Sequence, residues 1–296
     1  GGDEGDWRRA RQLVRFGGMR ISLRPLIIGA LVIIAVLGMI ICFELGAMAA
    51  RPNDYEEQYG GESCNIAVIP LVGEITSSDA GTYSEGDFED IEMVSADQVI
   101  KKLHDAEDDS SIKGVLIRID SSGGGPTASE MITNTLKRLS IPTVALIREG
   151  GASGGYLVAT GADTIIASVF SDVGSIGITM SYLENSKKNA KEGLQFVQLS
   201  SGKYKDTYNP DKPFTADERV LAERDLAIWK QAFVGQVAAN RGMSVEQVEK
   251  LADGSTLPGE LALQAGLVDS IGDQDSARTW FAKSLGVPEE EVVFCE

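Results

Sequence analysis

Residues 150–156 read GGASGGY, one small hydroxyl side chain, Ser153, set among four glycines. Glycine on both sides of a residue lets backbone, or a molecule held against backbone, come very close. Such a serine is either a turn residue or a nucleophile, and a nucleophile needs a base. The single histidine, His104, falls in KKLHDAEDD on the polar side of an expected helix, so a Ser-His-Asp triad has no credible base. That leaves lysine or a carboxylate. A lysine serves if burial lowers its pKa by several units, so that a neutral amine stands within hydrogen-bond reach of the hydroxyl. The acyl intermediate also needs donors for its oxyanion, which backbone N–H groups of DSSGGGP (120–126) can offer with no side chain in the way. That stretch lacks the GK[ST] of a phosphate loop and the spacing of a dinucleotide fingerprint. One histidine and three scattered cysteines supply no zinc site. No cofactor or metal is expected.

The elements that must position these residues follow from periodicity. NIAVIPLVGEI (65–75) reads as a strand, and Ala96 to Glu107 as a helix with Val99, Ile100, Leu103 and Ala106 on one face. GVLIRID (114–120) is a buried strand, a helix is expected around Ser129 to Leu139, and TVALIRE (143–149) is the next strand. Strands alternating with helices predict an α/β fold built on a largely parallel sheet. Thr215 and Glu218 form a capping box ahead of a long helix whose Leu226, Trp229, Phe233 and Val237 share a face before Gly242 ends it, and Ser244 with Gln247 repeats the box.

Upstream, PLIIGALVIIAVLGMIICF (25–43) carries no charge over a length that fits a bilayer, and is read as a transmembrane helix. Six arginines precede it and only Arg51 follows closely, which places the N-terminus in the cytoplasm and the bulk outside. Ala47-Met48-Ala49 fits a signal cleavage site, but the apolar run exceeds the usual signal core of about 7–15 residues, which favours an uncleaved anchor. The expected organisation is a basic cytoplasmic N-terminus (1–24), an anchor (25–45), a polar linker (46–63) and a globular body (64–296). Cys64 and Cys295 stand near the two ends of that body, so an extracytoplasmic body could join them in a disulfide. The net charge of −17 argues against nucleic acid as a partner.

In order behind the anchor come DSSGGGP, GGASGGYLVA, SDVGSIGI, SSGKYKD and LPGELALQAGLVDSIG. Together they resemble the signal peptide peptidase A family of membrane-anchored serine-lysine peptidases. The resemblance implies a Clp protease/crotonase-like core of repeated ββα units with an oligomerising helical arm. It makes Ser153 the nucleophile and Lys205, just before Asp206, the general base, with Lys203 as competitor. It assigns the oxyanion donors to the N–H groups of Gly124 and Gly154, and gives Ser175 the task of orienting the lysine. Where the family has proline before the glycines, this chain has Ser122. The resemblance further implies peptide substrates, chiefly remnant signal peptides and other unfolded hydrophobic segments, and a homo-oligomer in which the lysine can reach a serine across a domain or subunit boundary. Two alternatives stay open at this point: an acyl-CoA enzyme of the crotonase group, and an inactive oligomeric scaffold of the same fold.

Overall fold

The computed structural model describes residues 64–78 and 92–295, together with the backbone of two short strands, β1 (Arg15–Phe16) and β2 (Met19–Arg20), which pair antiparallel. The chain divides into two units, Gly1–Gln58 and Tyr59–Glu296. The expected membrane span, the linker and most of the basic N-terminus lie outside the described residues. Among the described residues no helix is long and apolar enough to cross a membrane.

In the second unit three long strands carry the body: β3 (Ile66–Thr76), β5 (Gly114–Gly124) and β6 (Thr143–Ala152), with short β4 (Met93–Ser95) beside β3. They alternate with α1 (Ala96–Asp108), α2 (Pro126–Leu136) and α3 (Gly154–Ala159). Strands β7 (Thr164–Ala167), β10 (Ser270–Ile271) and β11 (Phe294–Cys295) complete a parallel run ordered β10-β7-β6-β5-β3-β11. The expected α/β class and parallel sheet are therefore present.

Alternation along the strands decides which side chains go to which face. Ala67, Ile69 and Leu71 of β3, Val115, Ile117 and Ile119 of β5, and Ala145 and Ile147 of β6 enter the larger core with α1, α2 and α3. Ile66, Val68, Leu116, Val144 and Leu146 turn the other way onto Ala277, Phe281 and Ala282 of a C-terminal helix spanning Gln274–Leu285. Both faces are covered, which is why these strands read as nearly continuous apolar runs.

Each long strand has a second job past its core segment. The register shifts between Val72 and Glu74 on β3, and between Ile119 and Ser121 on β5. Beyond the shifts the strand ends form a smaller array with β4, β8 (Asp172–Gly174) and β9 (Thr256–Pro258). Shifts of this kind bend a strand and re-aim the residues that follow. Here those residues are the glycine-rich stretches.

The helix expected from Ser129 begins earlier, at Pro126. Proline is suited to the first helical position, where its missing N–H costs no hydrogen bond. The long helix spans Ala216–Arg241 with its Thr215/Glu218 box formed and Gly242 closing it in the left-handed region (φ 63°). Ser244 and Gln247 cap the short helix Val245–Glu249 in the same way. Cys64 and Cys295 form a disulfide, their Cα atoms 5.2 Å apart and 231 residues apart in sequence, tying the start of the body to β11.

Glu218 also takes Lys212 as an ion-pair partner, and both side chains are nearly buried. The Lys212 ammonium, and then the Thr215 hydroxyl and N–H, outweigh burial and hold the Glu218 carboxyl at about 2. A carboxyl depressed in the folded state stabilises fully above its unfolded pKa of about 4.3 and loses that contribution as pH falls toward its folded value. Acid unfolding followed by circular dichroism is therefore expected to shift to higher pH in Glu218→Gln, with the gap to wild type shrinking as pH drops from about 4.3 toward 2.

Candidate active site

Strands β5 and β6 are parallel neighbours, so their carboxyl ends emerge side by side. β5 ends at Gly124, and β6 ends at Ala152 with Ser153 next. The two glycine-rich stretches, distant in sequence, are thereby set against each other. A Cβ added at Gly123 would stand 2.8 Å from both the Ser153 Cβ and the Gly154 amide nitrogen. One added at Gly154 would stand 2.3 Å from Ser129 Oγ and 3.4 Å from the Gly124 amide nitrogen. Only glycine permits that approach.

Ser153 itself has φ 51° and ψ −121°, a conformation that side-chain-bearing L-residues rarely adopt. Holding it costs on the order of 1–3 kcal/mol. The strain is maintained by the Ser153 N–H, which donates to the Gly174 carbonyl at 2.7 Å, and by α3, which starts at the following residue. The Ser153 hydroxyl bonds to no described residue and caps no amide of α3, so it stays free to react.

Ser153, Gly124, Gly154 and Ser175 all line one cavity of about 1260 Å³. Ser175 is also left-handed (φ 49°), its N–H bonded to the Ser255 carbonyl and its hydroxyl donating to the Gly254 carbonyl at 2.9 Å. A hydroxyl whose proton is committed that way presents its lone pairs to another donor. The wall also carries Glu74, Glu130 and Asp253 against one lysine, Lys230, which pairs with Glu249 at 3.4 Å. The Ser255 hydroxyl and N–H hold the Asp253 carboxyl below its ordinary value.

Four of the five expected site residues are thus brought together, and Lys205 is not among the cavity walls. It is exposed, in a turn where its N–H donates to the Gly202 carbonyl at 3.1 Å. Lys203 is also exposed but occupied. It pairs with Asp217 and lies over the Tyr204 ring, and the Asp217 carboxylate, then Tyr204, push its pKa up, the wrong direction for a base. His104 is exposed on α1, away from the cavity lining.

A family model described as peptidase family S49 matches residues 135–288. The chain belongs to peptidase family S49. This is a family of serine proteases. A Methanocaldococcus jannaschii protein that carries a provisional protease name is 32% identical to this S49 chain over 269 residues, 88% of this chain and 85% of that one. An Enterococcus faecium protein provisionally named signal peptide peptidase SppA is 33% identical over 198 residues, 66% of this chain and 57% of that one. Among solved structures, a mutant of a membrane-bound stomatin-specific protease, 1510-N, covers 79% of this chain and 97% of its own, at 16% identity and a TM-score of 0.49.

The S49 match encloses Ser153, Ser175 and Lys205, while the Gly124 loop lies upstream of it. Sequence reasoning did not find the wall that the long helix of this S49 peptidase gives the cavity. Trp229 and Phe233 read as one apolar core stripe, and Phe233 is indeed buried, but Trp229 is half-exposed and both line the cavity. The available signal was polar: Lys230 and Gln236 flank that stripe, and both line the cavity too.

Proposed function

We propose that this S49 peptidase is a membrane-anchored endopeptidase with a Clp protease/crotonase-type body outside the cytoplasm, cutting remnant signal peptides and other unfolded hydrophobic segments with a Ser153–Lys205 dyad. The observation that carries the reading is the strained Ser153, its hydroxyl unbonded, packed against a glycine loop in the lining of a large cavity.

Neutral Lys205 takes the Ser153 proton as Oγ attacks the peptide carbonyl carbon, and the N–H groups of Gly124 and Gly154 bind the oxyanion. The C–N bond breaks as the ammonium returns its proton to the leaving amine; water, deprotonated by the same lysine, then attacks the acyl ester, and the proton passes from the lysine to the departing Ser153 Oγ as the acid leaves. Ser175 accepts a hydrogen bond from the lysine and aims it. An amine is neutral near pH 7 only when buried, and Lys205 is exposed in the single chain. The segment that bears it also exposes Leu183, Leu194, Val197 and Leu199. Both features support completion of the dyad when copies assemble. The Cys64–Cys295 disulfide supports an oxidising, extracytoplasmic setting.

The test is incubation of the detergent-solubilised full chain with an unstructured hydrophobic peptide and with a fluorophosphonate, products and labelled residue being read by mass spectrometry. Cleavage together with labelling at Ser153 is expected. An intact peptide and an unlabelled serine would instead favour the scaffold.

A further inference from the structure

The six-residue helix α3 holds the nucleophile's backbone, yet a helix of one and a half turns does not fix its own orientation. Its stiffness has to come from what grips it. Tyr156, three residues after Ser153, is wholly buried, and its hydroxyl donates to the Leu267 carbonyl at 2.9 Å. The loop bearing Leu267 is held in turn by Arg241, at the end of the long helix. Its Nε donates to the Gly266 carbonyl at 3.1 Å, and its two terminal nitrogens reach both oxygens of Asp269 at 3.0 and 2.6 Å. Asp269 also accepts from the Ile165 N–H of β7 at 2.7 Å, so the grip is anchored in the sheet. The far end of α3 is caught by the same helix, where Asn240 Nδ2 donates to Thr160 Oγ1 at 2.9 Å.

We propose that Tyr156 and the Arg241–Asp269 pair are positioning residues: acting through α3 and the 266–269 loop, without touching substrate, they hold Ser153 in its strained, attack-ready conformation. The proposal rests on the reading of Ser153 as nucleophile. It gives the long helix two tasks, since its middle walls the cavity while its end braces the serine.

The test compares wild type, Tyr156→Phe, Arg241→Ala and Arg241→Lys as full chains in detergent, with kcat expressed per serine titratable by a fluorophosphonate. Misplacement by a fraction of an ångström at the nucleophile is expected to cost about tenfold or more in kcat and in labelling rate for Tyr156→Phe and Arg241→Ala, with KM within about twofold. Arg241→Lys, which keeps the charge beside Asp269, is expected to recover part of the loss. If the variants lose titratable sites and thermal stability while kcat per site and labelling rate stay at the wild-type value, the residues only support folding and the proposal is overturned. Absence of Ser153 labelling in the wild type would instead overturn the nucleophile assignment, and this proposal with it.

Discussion

Alanine at either Ser153 or Lys205 is expected to lower peptide cleavage by at least about 10⁴-fold, the scale of losing a nucleophile or its base when the two act as a unit. Neither change removes a folding interaction of weight. Alanine keeps the Cβ at 153, the serine hydroxyl caps nothing, and Lys205 is exposed. Thermal midpoints close to wild type should therefore accompany the loss. Lys203→Ala breaks a surface pair with Asp217 and an exposed contact with the Tyr204 ring, and is expected to retain most activity. Rates of the three variants on one unstructured peptide decide the assignment. Loss in Lys203→Ala with full activity in Lys205→Ala would move the base, and full activity in Ser153→Ala would sink the mechanism. Mixing the two inactive variants adds a further reading: activity returns if one copy's lysine serves another copy's serine, and stays absent if both must come from one chain.

The sheet and the crowded position of Ser153 were legible for the same physical reason, that close packing leaves its mark on residue type. Strands buried on both faces read as apolar runs, helix ends declared themselves at Thr215, Glu218 and Gly242, and glycines flanked the one residue that backbone had to crowd. Lys205 is marked only by its motif, because a lysine exposed in a single chain carries no signature of burial. The start of α2 is hidden in the sequence because Pro126 directly follows the glycine run, although its fixed φ suits a first helical turn. The bracing of α3 was missed for a different reason. Tyr156, Arg241 and Asp269 lie up to 113 residues apart in sequence, and the residue types alone do not join them.

Alanine at Gly124 is expected to damage both fold and catalysis, and the two effects can be separated. Gly124 has φ 146°, in the region that favours glycine, and a Cβ there would stand 2.3 Å from the Ile75 carbonyl oxygen and 2.5 Å from its nitrogen. Those atoms are backbone of the adjacent strand, paired with Gly124 in the β3–β5 register, so they cannot swing aside as a flexible side chain would. The strands must part at the point where the Gly125 N–H donates to the Ile75 carbonyl at 2.8 Å. A stability loss of about 2–4 kcal/mol is the scale for such overpacking and strain. The same displacement carries the Gly124 N–H away from the proposed oxyanion position, and loss of one such donor lowers kcat by about 10²–10³-fold. Gly125→Ala is the matched control, since its Cβ would meet nothing closer than 3.5 Å and its φ is −59°. Urea unfolding and kcat per labelled Ser153 should both fall in Gly124→Ala and stay near wild type in Gly125→Ala. A Gly124→Ala enzyme that is less stable yet turns over normally per labelled site would leave the strand contact real and remove the Gly124 N–H from the oxyanion hole.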